Sequence, residues 1–425
     1  MLSDQEKAVL AAVDETDAVR TLRELIAIPS VTGSAAESEL QHHLAGRLER
    51  LGLDVDLWSM DLPELYAHPD FPGVEVPREE VWGLVGHTAG GAGDGGDGPT
   101  LILQGHVDVV PPGDPAAWDG DPFVPRVTGD LVHGRGACDM KAGLVAHLAA
   151  LAAVRAAGVR LRGRVAVHFV VGEEDGGIGA FGTLRRGHGG DVCVIAEPTG
   201  GTVVTANAGA LTFRITVPGR AAHASSREAG VSAIDAYLPL HRALARLEAD
   251  RNRDPDPLLA EYPIPYSLSV GTLRSGDWAS SVPDTLVAEG RLGVRLGEDP
   301  AVARAELERC VAERCAEDPW LREHPAVVTW PGGQFASGRL AAGHPLRDTV
   351  AGAYADATGA ARPRERGATY GSDLRHYTAA GIPTLQFGPG DIGVAHSARE
   401  HVSVREVTAV ARTLALTVLR TVGVK

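Results

Sequence analysis

Residues 100–108 read Thr-Leu-Ile-Leu-Gln-Gly-His-Val-Asp, an unbroken apolar run that ends in a glycine, an imidazole and a carboxylate. Strands buried on both faces of a parallel sheet carry such runs, whereas half-exposed strands alternate. Two later stretches have the same form: 164–171, followed by Glu173, Glu174 and Asp175, and 191–195, followed by Glu197. A long apolar helix is expected over 142–157, and 384–387 looks like another buried strand. Buried strands joined by crossover helices predict an α/β domain with a mostly parallel sheet.

Toward the N-terminus, Val9, Ala12, Val13, Val19, Leu22 and Leu25 recur at helical spacing. A helix over 36–51 is expected to start after Ser34 as a cap and stop at Gly52, with a strand over 53–58. The glycine-rich run from Gly86 to Gly98 has no apolar period and reads as a hairpin tip without chemistry. From about residue 210 the pattern changes to strand 211–217, helix 231–249, strands 266–273 and 285–296, helix 300–316 and strand 326–330. That βαββαβ order predicts a ferredoxin-like α+β domain over 209–333, inserted into an α/β domain made of 1–208 and 334–425. A length of 425 residues also exceeds what one core usually holds.

With 44% hydrophobic and 22% charged residues the chain can bury a core, which excludes disorder as its main state. Its 40 basic and 55 acidic side chains leave a net charge of -15, so it repels phosphate backbones and nucleic acid is not an expected partner. Cys138, Cys193, Cys310 and Cys315 form no CxxC pair and are too few to staple a fold of this size. The N-terminal stretch is charged throughout, and no uninterrupted apolar stretch reaches the roughly 18 residues needed to cross a bilayer. A soluble cytoplasmic protein with no membrane partner is expected.

Ligands of open α/β sheets bind at the carboxyl ends of the strands, so His106, Asp108, Glu173, Glu174 and Glu197 should converge on one crevice. Asp139 lies just before the long helix, where an isolated aspartate would read as an N-cap; beside the other groups it reads as a ligand. His106, Asp139, Glu174 and Glu197, with a histidine from the C-terminal segment, offer nitrogen and oxygen donors for divalent cations. Two zinc ions could share Asp139 as a bridge, with a water between them as nucleophile. Glu173 neighbours a ligand but points the other way, the position of a general base that later acts as acid. Asp108 has the strand parity of His106 and could hold its second ring nitrogen.

Seven stretches then carry a resemblance: GHVDVVP around His106, GRGACDMKAG around Asp139, GEEDGGIGA around Glu173, AEPTG around Glu197, GRAAHASS around His223, GSDLRHY around Asp373 and FGPGDIGVAHSAREHV around His396. Over nearly its whole length the chain resembles the zinc-dependent amidohydrolases and exopeptidases that include acetylornithine deacetylase, succinyl-diaminopimelate desuccinylase, aminoacylase and carboxypeptidase G. The resemblance implies one zinc on His106, Asp139 and Glu197 and another on Asp139, Glu174 and His396, with Glu173 as base. It also implies a cis peptide between Asp139 and Met140. His223 would hydrogen-bond the oxyanion, often from the partner subunit, in a homodimer built through the inserted domain. Cobalt or manganese could replace zinc.

Substrate contacts are less sharply marked. Arg291 and Arg295 share a face of the strand expected over 285–296, and either could pair with a substrate carboxylate; a solvated sheet edge accounts for both equally well. Where many relatives carry Asn before Val-Pro, this chain has Ser280 and Ser281. Ser372 could help bind the carboxylate end through the loop backbone. Glu rather than Asp at 197 resembles the deacylase and carboxypeptidase branch, which disfavours aminopeptidase activity. The expected activity is hydrolysis of a small N-acyl amine or N-acyl amino acid; the alternatives are a dipeptidase or carboxypeptidase, and a catalytically inactive binding protein.

Overall fold

Strand Thr100–His106 lies between Arg164–Val170 and Val192–Pro198 and is parallel to both. The computed structural model describes residues 1–89 and 98–425; positions 90–97, most of the glycine-rich run, lie outside the described residues. Thr384–Gly388 adds a fourth parallel strand beside Val192–Pro198. Antiparallel strands flank this centre: Trp82–His87 against Arg164–Val170, Asp54–Ser59 against Trp82–His87, and Val203–Asn207 against Thr384–Gly388. The unbroken apolar runs thus mark the parallel strands, which are covered on both faces.

The strands run somewhat further than expected. Val192–Pro198 includes Glu197, because pairing with Thr384–Gly388 continues past a register shift to Pro198. Helix Ala35–Arg50 does begin after Ser34, but the Ser34 hydroxyl makes no capping hydrogen bond and has no hydrogen-bond partner among the described residues. Instead the Glu37 carboxylate accepts from the Gly33 N–H at 2.6 Å.

Helix Ala142–Ala156 packs on this sheet through small residues. A Cβ on Gly143 would lie 2.2 Å from the Ala196 carbonyl oxygen, so only glycine lets the helix approach the strand that ends in Glu197. Ala137–Ala156 is long and apolar enough by composition to cross a membrane, with mean hydropathy 1.4 over its most apolar 18 residues, yet 89% of that stretch is buried inside the protein, and Asp139, Lys141, His147 and Arg155 interrupt the helix. Its apolar surface is spent on the core of the sheet.

The chain divides into two compact units: Met1–Ala206 with Arg339–Arg366 and Ser372–Lys425, and Asn207–Gly338 with Gly367–Gly371. The short piece Gly367–Gly371 joins the second unit because the Gly367 carbonyl accepts from the Tyr262 hydroxyl and the Tyr370 carbonyl from the Asn207 amide.

In the second unit the strands Leu268–Ser275, Thr285–Val294, Gly209–Pro218 and Val327–Thr329 lie in that order, all antiparallel. Numbered along the chain, this is the ferredoxin-like order 4-1-3-2 read from the opposite edge. In Gly209–Pro218 buried residues alternate with more exposed ones, so one face meets the helices. Leu211, Phe213, Ile215 and Leu286 share a core there with Leu240 and Leu244 of helix Ala233–Arg251 and Leu307 and Val311 of helix Pro300–Glu317.

Candidate metal centre

His106 ends its strand and Glu197 occupies the next-to-last position of the neighbouring one; both are buried. Glu173 and Glu174 follow Arg164–Val170 on the other side of His106. Asp139 sits in the turn Ala137–Lys141 that opens the crossover helix, and the Asp139–Met140 peptide is cis, as the resemblance implies. His396 arrives on the loop after Thr384–Gly388 with φ of 59°, the one non-glycine residue with positive φ among the described residues. Such a conformation costs of order 1 kcal/mol or more and persists where surrounding structure holds it.

The two oxygens of Asp139 face different partners. His106 Nε2 lies 3.1 Å from Asp139 Oδ1 and 3.7 Å from Glu197 Oε1. His396 Nε2 lies 3.3 Å from Asp139 Oδ2 and 3.1 Å from Glu174 Oε1. Glu173 stands beside the first group: ligand atoms of His106, Glu173 and Glu197 all lie within 4.8 Å of one another, as do those of His106, Asp139 and Glu174. His106, Asp139, Glu173, Glu174, Glu197 and His396 therefore come together.

The electrostatics indicate what such a cluster needs. Burial, then the charges of Glu197 and Asp373, push Glu173 well above the usual carboxylate range; burial and Asp139 do the same to Glu197 and, less strongly, to Glu174. Hydrogen bonds to Asp139 and Glu174 push the His396 imidazole up to about 11. Burial alone would lower His106, but the Asp139 hydrogen bond and the Glu197 charge raise it well above the usual imidazole range. Four carboxylates crowded in low dielectric demand positive charge, and two divalent cations on these imidazole and carboxylate donors would supply it. The residues present fit a pair of metal ions.

Asp108 acts differently from its expected role. The second nitrogen of His106, Nδ1, is 2.9 Å from the Asp108 carbonyl oxygen and 3.6 Å from its carboxylate. The backbone carbonyl therefore holds the imidazole. The carboxylate accepts from the N–H groups of Glu173 and Glu174, each at 3.2 Å, and from the Thr32 hydroxyl at 3.1 Å. Strand-face parity could not separate these two acceptors of one residue, because both lie near the ring.

Three supports escaped the sequence reading. Glu400 is fully buried; its Oε1 accepts from the N–H groups of Cys138 at 3.0 Å and Asp139 at 3.1 Å, and its Oε2 pairs with buried Arg135 at 2.5 Å. Arg78, also buried, bridges Glu37 at 2.5 Å and Asp175 at 2.9 Å, and Glu37 in turn accepts from the Gly172 N–H at 3.2 Å. Together they brace the turn that presents Glu173 and Glu174. Gln104 donates to Asp373 Oδ2 at 2.9 Å beneath the cluster. Only Gln104 had a readable signal, since it lies two residues before His106 on the same strand face.

Ser372 is buried, and its hydroxyl accepts from the Leu374 N–H at 3.2 Å, capping a helical turn. In the second unit, strand Thr285–Val294 ends before Arg295, so Arg295 does not share a strand face with Arg291. The Arg295 guanidinium is engaged by the Arg251 carbonyl at 3.2 Å and by Glu298 at 3.5 Å. Arg291 is exposed on the strand and lies over the Phe335 ring, 5.6 Å from its centroid. His223 is exposed in a short bridge to Ser281; its Nδ1 accepts from the Ser225 N–H at 3.2 Å, which places the ring proton on Nε2.

Among known proteins, the chain is 26% identical over 434 residues to N-formyl-4-amino-5-aminomethyl-2-methylpyrimidine deformylase of Halalkalibacterium halodurans, covering 96% of this chain and 95% of that one. It is 33% identical over 302 residues to a succinyl-diaminopimelate desuccinylase of a Methylobacterium species, covering 67% and 68%. In fold it is similar to the dipeptidase Dug1p of Saccharomyces cerevisiae, with a TM-score of 0.78 at 14% identity, covering 98% of each chain. Residues 102–420 match the peptidase family M20/M25/M40, so the chain belongs to that family of metal-dependent hydrolases.

Proposed function

We propose that this protein hydrolyses the amide bond of a small N-acyl amine or N-acyl amino acid at a centre of two divalent cations, zinc in the first instance. The observation that carries the reading is the division of Asp139 between His106 with Glu197 on one oxygen and His396 with Glu174 on the other. The relatives named deformylase and desuccinylase support an N-acyl substrate.

When bound, the cations would polarise the amide carbonyl and make the attacking water acidic. The Glu173 carboxylate takes the proton from that water and delivers it to the departing nitrogen, so that the C–N bond breaks and carboxylic acid and amine leave. The Asp108 carboxylate, through the Glu173 N–H, keeps the base aimed. His223 donates from Nε2 to the oxyanion, in its own or the partner subunit. Either arginine would pair with a substrate carboxylate; Arg295 is held by the Arg251 carbonyl and Glu298, and Arg291 by the Thr212 hydroxyl at 3.4 Å.

A homodimer through the second unit is part of the reading. Its edge strand Leu268–Ser275 is mostly exposed and pairs on one side only among the described residues, and Leu273, Trp278, Ile234 and Leu238 are exposed apolar side chains of that unit. Four free thiols accord with a reducing cytoplasm.

The test is a turnover screen of metal-reconstituted protein on N-formyl, N-acetyl and N-succinyl amines against dipeptides. Glu173→Gln is expected to lower turnover by about 10²–10⁴ with metal retained. Faster cleavage of dipeptides than of every N-acyl substrate would overturn the substrate class. Near-normal turnover by Glu173→Gln would overturn the base.

A further inference from the structure

Away from the Asp139 cluster, three short strands, Arg126–Thr128, Leu131–His133 and His401–Ser403, form a small antiparallel sheet. Beside it lies a cavity of about 340 Å³ whose lining includes Trp118, Asp119, Arg126, His133, Arg399 and His401. The register sets Arg126 opposite His133 and His133 opposite His401, so the three side chains stand in one row on one face.

The two imidazoles are arranged as a clamp. Their centroids are 5.5 Å apart and their planes are inclined by 42°. A cation ~2 Å from one nitrogen of each ring, at a roughly tetrahedral angle, requires centroids about 5 Å apart. His401 Nδ1 donates to the Arg399 carbonyl at 2.7 Å, which leaves the Nε2 lone pair available. Metal-binding histidines are commonly oriented by such a bond on the other nitrogen. Neither ring nitrogen of His133 has a hydrogen bond among the described residues. Burial, with Arg126 and His401 adding to it, lowers the His133 imidazole, which favours the neutral form that binds metal. The row does not favour an anion, because Arg126 is already paired with Asp119 at 2.5 Å.

We propose that His133 and His401 form an auxiliary two-histidine site for a first-row transition-metal cation of the Cu²⁺, Ni²⁺ and Zn²⁺ class, with water completing the coordination. Imidazole suits these ions. The site is separate from the Asp139 cluster but adjoins its support: Glu400, next to His401, holds the Cys138 and Asp139 N–H groups. A cation joining the two strands would therefore stiffen the element that carries Glu400.

Equilibrium dialysis of the full chain against Ni²⁺, with metal counted per chain, tests this. The wild type is expected to bind one more equivalent than His133→Ala/His401→Ala. That difference is independent of how many ions the Asp139 cluster takes and of what the enzyme hydrolyses. Ni²⁺ is also expected to raise the unfolding midpoint more in the wild type than in the double variant. If the double variant does not fold, His133→Gln and His401→Gln carry the test, each expected to weaken Ni²⁺ binding at least tenfold. Equal stoichiometry in the wild type and the folded double variant, or unchanged affinity in both single variants, would overturn the site.

Discussion

Replacing Glu400 by glutamine changes one charge and almost no volume, yet it acts on three buried partners at once. Arg135, with 2% of its side chain exposed, loses its counter-ion, and an uncompensated charge of that kind costs about 3–5 kcal/mol of stability. The amides of Cys138 and Asp139, now 3.0 and 3.1 Å from a carboxylate oxygen, keep at best a neutral acceptor, roughly half as strong. Asp139 then loses its fixed orientation, and by analogy with other supports behind metal ligands, affinity should fall about 10–100-fold.

A control separates folding from positioning. In Arg135→Met/Glu400→Gln the stranded charge is gone, so much of the lost stability should return, while the weakened grip on Asp139 remains and metal affinity stays low. Urea unfolding of the metal-free protein reads the first effect, and competition with a chelator of known affinity reads the second. If Glu400→Gln binds metal as tightly as the wild type, Glu400 does not position Asp139 and the reasoning fails.

Other perturbations test other parts of the structure. Arg78→Met leaves Glu37 and Asp175 without their shared partner and should destabilise by about 3–5 kcal/mol in urea; a loss under 1 kcal/mol would show that water replaces the guanidinium. His147 is completely buried, neither ring nitrogen has a hydrogen-bond partner among the described residues, and burial lowers it to about 3. Between the unfolded value of 6.5 and that folded value the unfolded chain holds a proton the folded chain lacks. Stability is therefore lost as pH falls through that window, by about 1.4 kcal/mol per unit from this group. His147→Leu should remove that contribution, and an acid limb as steep as the wild type's would refute it. Mixing His223→Ala with Glu173→Gln chains should restore turnover if His223 acts across subunits; no recovery would assign it to its own chain.

Much of the parallel sheet was legible because burial on both faces writes itself locally, as runs such as 100–104 and 164–171 with polar residues at their ends. The alternation in Gly209–Pro218 and the order of elements after it were legible for the same reason. Arg295 was misplaced because a strand's last residue is decided by pairing, and its pairing ends at Val294.

The sequence by itself determined the strands, the crossover helix and the kinds of donor atom at the strand ends, since each depends on neighbours a few residues away. Only the tertiary structure decided how those donors are divided and what holds them. Which oxygen of Asp139 meets which histidine, and that Glu400 reaches back across 261 positions to the Asp139 amide, depend on how the turns before and after the sheet are oriented in space. Hydrogen bonds between residues so far apart leave no periodic trace along the chain.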